Sequence, residues 1–367
     1  MSYSPTQFSG LSSLFKVDLK LFVLVTLIVI IGLATLFSVS GGDVNLIIKQ
    51  SIRIAVGLTA MIILAQIHPD NFRLFSPFLY FFGIILLVLT IFFGVGKSAD
   101  RWLDFYILRF QPSELMKLFV PLMIASFYSD KALPPKLKNL SIAVIIIVVP
   151  ALLIAKQPDL GTALLITSSG VIAIFLSGIK LAHIFLGTAL VIGAIPLLWS
   201  FMYEYQKSRV LSFFSPNTDA LGTGYHLAQS KISLGSGGLF GKGYMNGTQS
   251  QLDFLPENHT DFIFSAFGEE FGFIGVIILI SLYVLVVLRG MSISIKATDN
   301  FSRILSATLI LTIFLYVLVN VGMVVGILPI VGAPLPFMSY GGTSMLTVFA
   351  ALGIIMSIKS HQRLLRK

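Results

Sequence analysis

Ten stretches of about 17–27 mostly apolar residues follow one another along this chain, and their recurrence governs what it can fold into. A bilayer core about 30 Å thick is crossed by about 20 helical residues. Backbone inside lipid must also satisfy its own hydrogen bonds, which favours helices. The stretches lie near 19–38, 51–67, 77–94, 112–128, 139–156, 160–177, 182–201, 262–288, 304–326 and 341–358. The expected fold class is all-α: a polytopic integral membrane protein of about ten transmembrane helices, with 1–367 as one membrane domain. A large extracytoplasmic loop, 202–261, is expected between spans seven and eight. The first stretch is long and lacks a small-residue cleavage site, so it reads as a retained helix.

Charge sets the expected orientation. Fourteen of the twenty-five Lys and Arg fall on the side of the termini, and four more lie in the long loop, where they count for little. Both termini are therefore expected in the cytoplasm. The net charge of +9 is spread without a basic block, so no nucleic-acid partner is expected. The absence of cysteine excludes disulfides and thiolate metal sites.

Four of the seven remaining cations fall in two motif-like segments. Arg101, Arg109 and Lys117 belong to one segment, RWLDFYILRFQPSELMK (101–117), and Lys156 to KQPDLGT. Positive charge on the outer face opposes the usual orientation signal, which suggests an anionic ligand at the outer leaflet. Pairing with nearby acids is the plainer alternative. Pro112 marks a helix start, and Glu114 and Lys117 share a face at i, i+3, so a salt bridge is expected between them.

In the long loop, GSGGLFGKG (235–243) resembles a phosphate-binding loop but fails the spacing, because Ser236 stands where Gly is required and Gly243 replaces the Ser or Thr. It reads as a flexible turn cluster. Between spans nine and ten, ILPIVGAPLPFMSYGGTS (327–344) carries three prolines and three glycines, too many for a continuous helix, yet is largely apolar. It is expected to fold back over the outer mouth, as irregular backbone at membrane depth does where it lines a cavity.

The densest chemistry lies in LPENHTDFIFSAFGEEFGFIG (255–275). Four of the sixteen acidic residues fall there: Glu257, Asp261, Glu269 and Glu270. Asp261 stands where loop gives way to helix. It is either a helix N-cap or, facing the basic residues, the group for acid–base chemistry. Glu269 and Glu270 lie deeper and read as structural. His259 beside Asp261 is a weak metal hint, and a divalent cation stays open as a cofactor.

These segments together resemble the family of shape, elongation, division and sporulation proteins. FLPENHTDFIFSAFGEEFG, RWLDFYILRFQPSELMK, KQPDLGTA and PLPFMSYGG match its hallmark segments in order over nearly the whole chain, and GTQSQLDFLPE is similar to its elongation branch. The resemblance implies a peptidoglycan glycosyltransferase of the bacterial inner membrane that joins lipid II into glycan strands on the outer face. It implies that the family's essential aspartate falls on Asp261, and that its charged residues at the fourth helix fall on Arg109, Glu114 and Lys117. Arg101 joins these as a candidate for the substrate diphosphate. A class B penicillin-binding transpeptidase and the elongation proteins MreC and MreD are the implied partners, with membrane lipids around the chain. A lipid II flippase is the alternative function. A scaffold without chemistry is a third reading.

Overall fold

A computed structural model describes residues 16–95, 101–104, 109–214, 223–252, 254 and 257–361. Ten apolar helices form the body. They are α1 (Leu19–Val39), α2 (Val44–Gln66), α3 (Pro69–Phe93), α4 (Pro112–Ser129), α5 (Leu137–Lys156), α6 (Leu160–Leu176) and α7 (Leu181–Phe201), followed after the long loop by α11 (Ile263–Ile295), α12 (Asn300–Val325) and α13 (Thr343–His361). Seven are long and apolar enough to cross a membrane by length and composition; α6 and most of α7 are shorter apolar helices, and α4 is the one that carries Glu114 and Lys117. The chain is a multi-pass membrane protein.

Several helices start earlier than hydropathy suggested. Asp43 caps α2 by accepting from the Asn45 and Leu46 amides, which brings Val44–Gln50, with the polar Asn45, Lys49 and Gln50, into the helix. His68 caps α3 and Pro69 takes its first position, where a missing N–H costs nothing. Capping, rather than the apolar window, sets these ends.

The two ends of the described chain meet at one end of the bundle, here the terminal end. Lys16 Nζ lies 3.2 Å from His361 Nε2. The buried Asp18 there caps α1 and also takes Arg289 of α11 at 2.6 Å, together with Lys359 of α13. One carboxylate thereby ties three helices.

The opposite, loop end carries α8 (Glu204–Phe214), α9 (Thr223–Ser236), the short α10 (Thr248–Gln251), and a two-residue antiparallel pairing of β1 (Leu103–Asp104) with β2 (Arg109–Phe110). α9 packs on α11. Ser265 Oγ donates to the Ser230 carbonyl at 2.6 Å, and Ser230 Oγ to Val324 of α12 at 2.9 Å.

α11 is broken at Gly272, whose φ of 66° and ψ of −168° suit glycine alone. A broken helix leaves carbonyls and amides without partners. The 235–243 segment supplies them. Lys242 N and Gly243 N donate to the Glu269 and Glu270 carbonyls at 3.0 Å each, and Phe273 N and Ile274 N donate to Gly238 and Leu239 at 2.9 and 3.2 Å. The glycine-rich stretch is thus a docked strap, not the flexible turn cluster expected from its composition. Its glycines let backbone meet backbone.

α7 alone among the ten has no buried residue among its described side chains. Its apolar surface faces outward on all sides.

Candidate active site at the loop end

The segment 327–344 returns into the bundle instead of only covering its mouth. Ala333, Leu335, Phe337, Met338 and Ser339 are all buried. Met338 lies against Gly32 of α1, where a Cβ would stand 2.8 Å from its Cα, and Tyr283 of α11 donates to the Pro336 carbonyl at 2.5 Å. Polar groups hold it on the other side. Gln50 of α2 donates to the Ser339 carbonyl at 3.2 Å, and Arg53 lies 4.2 Å over the Tyr340 ring.

This re-entrant segment separates two groups of charged residues and contacts both. On its inner side is a partly open cavity lined by Glu114 and Lys117 of α4, Tyr316 of α12, Pro334 to Phe337, and Thr347 of α13. The expected i, i+3 pair is present: Lys117 Nζ reaches Glu114 Oε1 at 2.5 Å, and both are buried. Lys117 also sits 4.7 Å over the Tyr316 ring, and Thr347 Oγ1 donates to Glu114 Oε2 at 3.3 Å. A buried ion pair needs such further partners to offset desolvation. Lys117 still lines the cavity.

On the outer side is Asp261. It is not a cap: Phe262 holds the cap position of α11, with no side-chain capping bond. The turn 257–261 is fixed through its backbone. Ser339 Oγ donates to the Thr260 carbonyl at 2.6 Å, Tyr340 N to His259 at 2.9 Å, and Asn320 Nδ2 to the Asp261 carbonyl at 2.9 Å. The same Asn320 amide donates to Ala333 at 2.7 Å. Tyr316 and Asn320 are one turn apart on α12, so a single helix face touches Lys117 at one level and the Asp261 turn at the next. The Asp261 carboxylate remains available. Burial pushes it up to about 6, the Glu257 carboxylate adds to that, and Arg209 of α8 opposes it.

Arg101 sits at the rim and is already engaged. It donates to the Pro158 carbonyl and lies 3.7 Å from Asp159, which also accepts from Gln111 at 3.0 Å and caps α6. The motif KQPDLGT therefore builds the turn that holds Arg101. Its Gly161 meets the re-entrant segment, since a Cβ there would stand 2.5 Å from the Val331 carbonyl. Arg109 pairs through its backbone with Asp104, and its side chain lies outside the described residues.

Glu269 and Glu270 are structural, as expected. Glu269 accepts from Lys242 Nζ at 2.6 Å, Thr248 Oγ1 at 3.0 Å, and the Gln249 amide at 3.1 Å. Glu270 accepts from Ser38 of α1. They lock the strap and α10 onto the half-helix that follows Asp261. Among the described residues, no three His, Cys, Asp or Glu converge to hold a metal ion. Asn258 is buried and donates to the Ser250 carbonyl at 3.0 Å.

Arg209, Tyr316, Asn320, Arg53 and Thr347 carry no motif of their own in the sequence. Each reaches the site through tertiary packing.

Fold and site together define a class: a polytopic membrane protein with a charged cavity at one end, roofed by a re-entrant segment and a carboxylate-bearing turn. The chain belongs to the cell cycle protein family that includes FtsW, RodA and SpoVE, whose family model matches residues 12–364. It is similar to the peptidoglycan glycosyltransferase MrdB of Escherichia coli K12, with 48% identity over 349 residues, covering 95% of this chain and 94% of that one. Its fold matches a chain described in work on the coordination of polymerization and crosslinking by a peptidoglycan synthase complex, with a TM-score of 0.82 and 27% identity, covering 94% of this chain and 98% of that one. It also matches the rod shape determining protein RodA of Thermus thermophilus, with a TM-score of 0.72 and 26% identity, covering 99% and 100% of the two chains.

Proposed function

We propose that this chain is a peptidoglycan glycosyltransferase that polymerises lipid II during cell elongation, working at the outer face of the bacterial inner membrane. Both termini then lie in the cytoplasm. The observation that carries the site assignment is Asp261. It stands at a helix start without capping it, part-buried, on a turn clamped to the segment that roofs the Glu114–Lys117 cavity.

The chemistry follows from what these groups can do. The 4-hydroxyl of one sugar attacks the anomeric carbon of another, a C–O bond forms, and the bond to the lipid diphosphate breaks with inversion. Asp261 accepts the hydroxyl proton as general base. The departing diphosphate gathers negative charge, so cations placed in advance lower the barrier most as that bond breaks. Lys117, oriented by Glu114 and Tyr316, supplies one from inside the cavity. Arg101 and Arg109 supply others from the rim. A divalent cation held by the substrate diphosphate would add to that positive charge.

A class B penicillin-binding transpeptidase is the proposed partner that crosslinks the new strands. The fold match to a chain from work on polymerization and crosslinking supports that pairing. MreC and MreD are proposed as further members of the assembly.

The test uses purified protein, labelled lipid II and the transpeptidase, with products resolved on a gel. Wild type should make glycan polymer and a folded Asp261→Asn variant none. Normal polymerisation by the variant would remove Asp261 from the chemistry. Polymer from neither protein, with lipid II movement across vesicles seen for wild type and lost in the variant, would favour a flippase.

A further inference from the structure

Gly332 marks a small polar notch beside Asp261. Its φ is +76°, and a Cβ built on it would stand 3.4 Å from Asp261 Oδ2 and 3.9 Å from Arg209 Nη1, with nothing else among the described residues within 4 Å. A carboxylate and a guanidinium from separate parts of the long loop thus flank one volume whose floor is bare backbone. That floor is held in register with the base, because the Asn320 amide bonds both the Asp261 and the Ala333 carbonyls.

We propose that Arg209 of α8 is the positioning residue of this site: its guanidinium stands with the Asp261 carboxylate around the notch over Gly332, where the attacking hydroxyl is received. The proposal rests on the glycosyltransferase reading above and assigns the acceptor side of that reaction. A base must be ionised to accept a proton, and Asp261 is part-buried beside a second carboxylate. Without a counter-charge it would hold its proton near neutrality. Arg209 supplies that counter-charge. Among the described residues the other groups on these elements do not: Glu257 on the same turn is acidic, His259 is bonded to Asn258, α12 offers the neutral Asn320, α11 has Phe262 at its cap followed by Ile263 and Phe264, and the re-entrant segment presents Gly332. Arg209 differs in this from Lys117, Arg101 and Arg109, which serve the diphosphate.

The test is the pH dependence of lipid II polymerisation by the full-length protein with its transpeptidase, for wild type, Arg209→Gln, Arg209→Lys and Asp261→Asn. Arg209→Gln should move the acid limb to higher pH. A limb moved by one unit makes the rate about tenfold lower at the acid end, while the alkaline rate stays close to wild type. Arg209→Lys, which keeps the charge, should restore most of the wild-type limb. A loss by the same factor at every pH, or no activity at any pH in the Gln variant, would overturn the proposal and assign Arg209 to the diphosphate or to the fold. An unmoved limb would overturn it as well. Asp261→Asn separates the two levels of argument. If it polymerises like wild type, the base assignment fails and takes this inference with it. If it makes no polymer while Arg209→Gln keeps the wild-type limb, only the inference fails.

Discussion

Gly272→Ala tests the break in α11 that sets Asp261 apart from the membrane-spanning half of the helix. A Cβ at this position would meet the Leu239 carbonyl oxygen and the Phe240 carbonyl carbon at 2.7 Å each, both backbone, in a conformation reserved for glycine. The backbone strain alone costs about 1–3 kcal/mol. Relief requires the strap to withdraw, which loses the four backbone bonds from Lys242, Gly243, Phe273 and Ile274. At about 1 kcal/mol each, these bring the total to roughly 5–7 kcal/mol. The melting temperature of purified protein should fall by roughly 10 °C. Hydrogen exchange at 237–251 should rise first, because that segment is held by the break. Polymerisation should fall in step, since Asp261 sits at the start of the displaced half-helix. The control is Gly187→Ala in α7, where nothing lies within 4 Å of the added carbon and stability should not fall. A Gly272→Ala protein as stable as wild type, with unchanged exchange in the strap, would refute the reasoning.

Three further expectations concern the site. Polymerisation by wild type should decline as pH falls through about 6, because the raised Asp261 carboxyl then becomes protonated and can no longer accept a proton; a rate that stays flat well below that point would exclude Asp261 as the titrating base. Lys117→Met leaves Glu114 buried without its cation and should cost about 3–5 kcal/mol in thermal denaturation, while Lys117→Met with Glu114→Gln should recover much of that stability but not the activity. Gly161→Ala drives a methyl into the Val331 carbonyl and should lower polymer yield with little change in melting temperature, since it shifts the roof of the site rather than the bundle; a normal yield would detach KQPDLGT from the site.

How much of this was legible in the sequence depends on the range of the signal. Lipid imposes one requirement on every residue it touches, so the apolar runs revealed ten helices directly. The pairing of Lys117 with Glu114 was readable because both sit on one helix, three residues apart. Helix starts such as Val44 were missed because Asp43 caps the helix in the next residues, while a hydropathy window averages over the polar stretch that follows.

The strap and the notch were not legible. In sequence, GSGGLFGKG is a glycine-rich loop; its partner amides and carbonyls lie some thirty residues away, across the break at Gly272. Arg209 and Gly332 stand more than fifty residues to either side of Asp261, with no pattern linking them to it. The sequence by itself determined the membrane class, the helix count, the two buried structural glutamates and the candidate carboxylate, because those follow from local composition and spacing. Tertiary structure alone decided that Asp261 caps nothing, that Arg101 is held by Asp159, and that the Asp261 turn is clamped to the roof of the Lys117 cavity. Such facts depend on which backbone passes within bonding distance of which, and that is set by packing all ten helices at once.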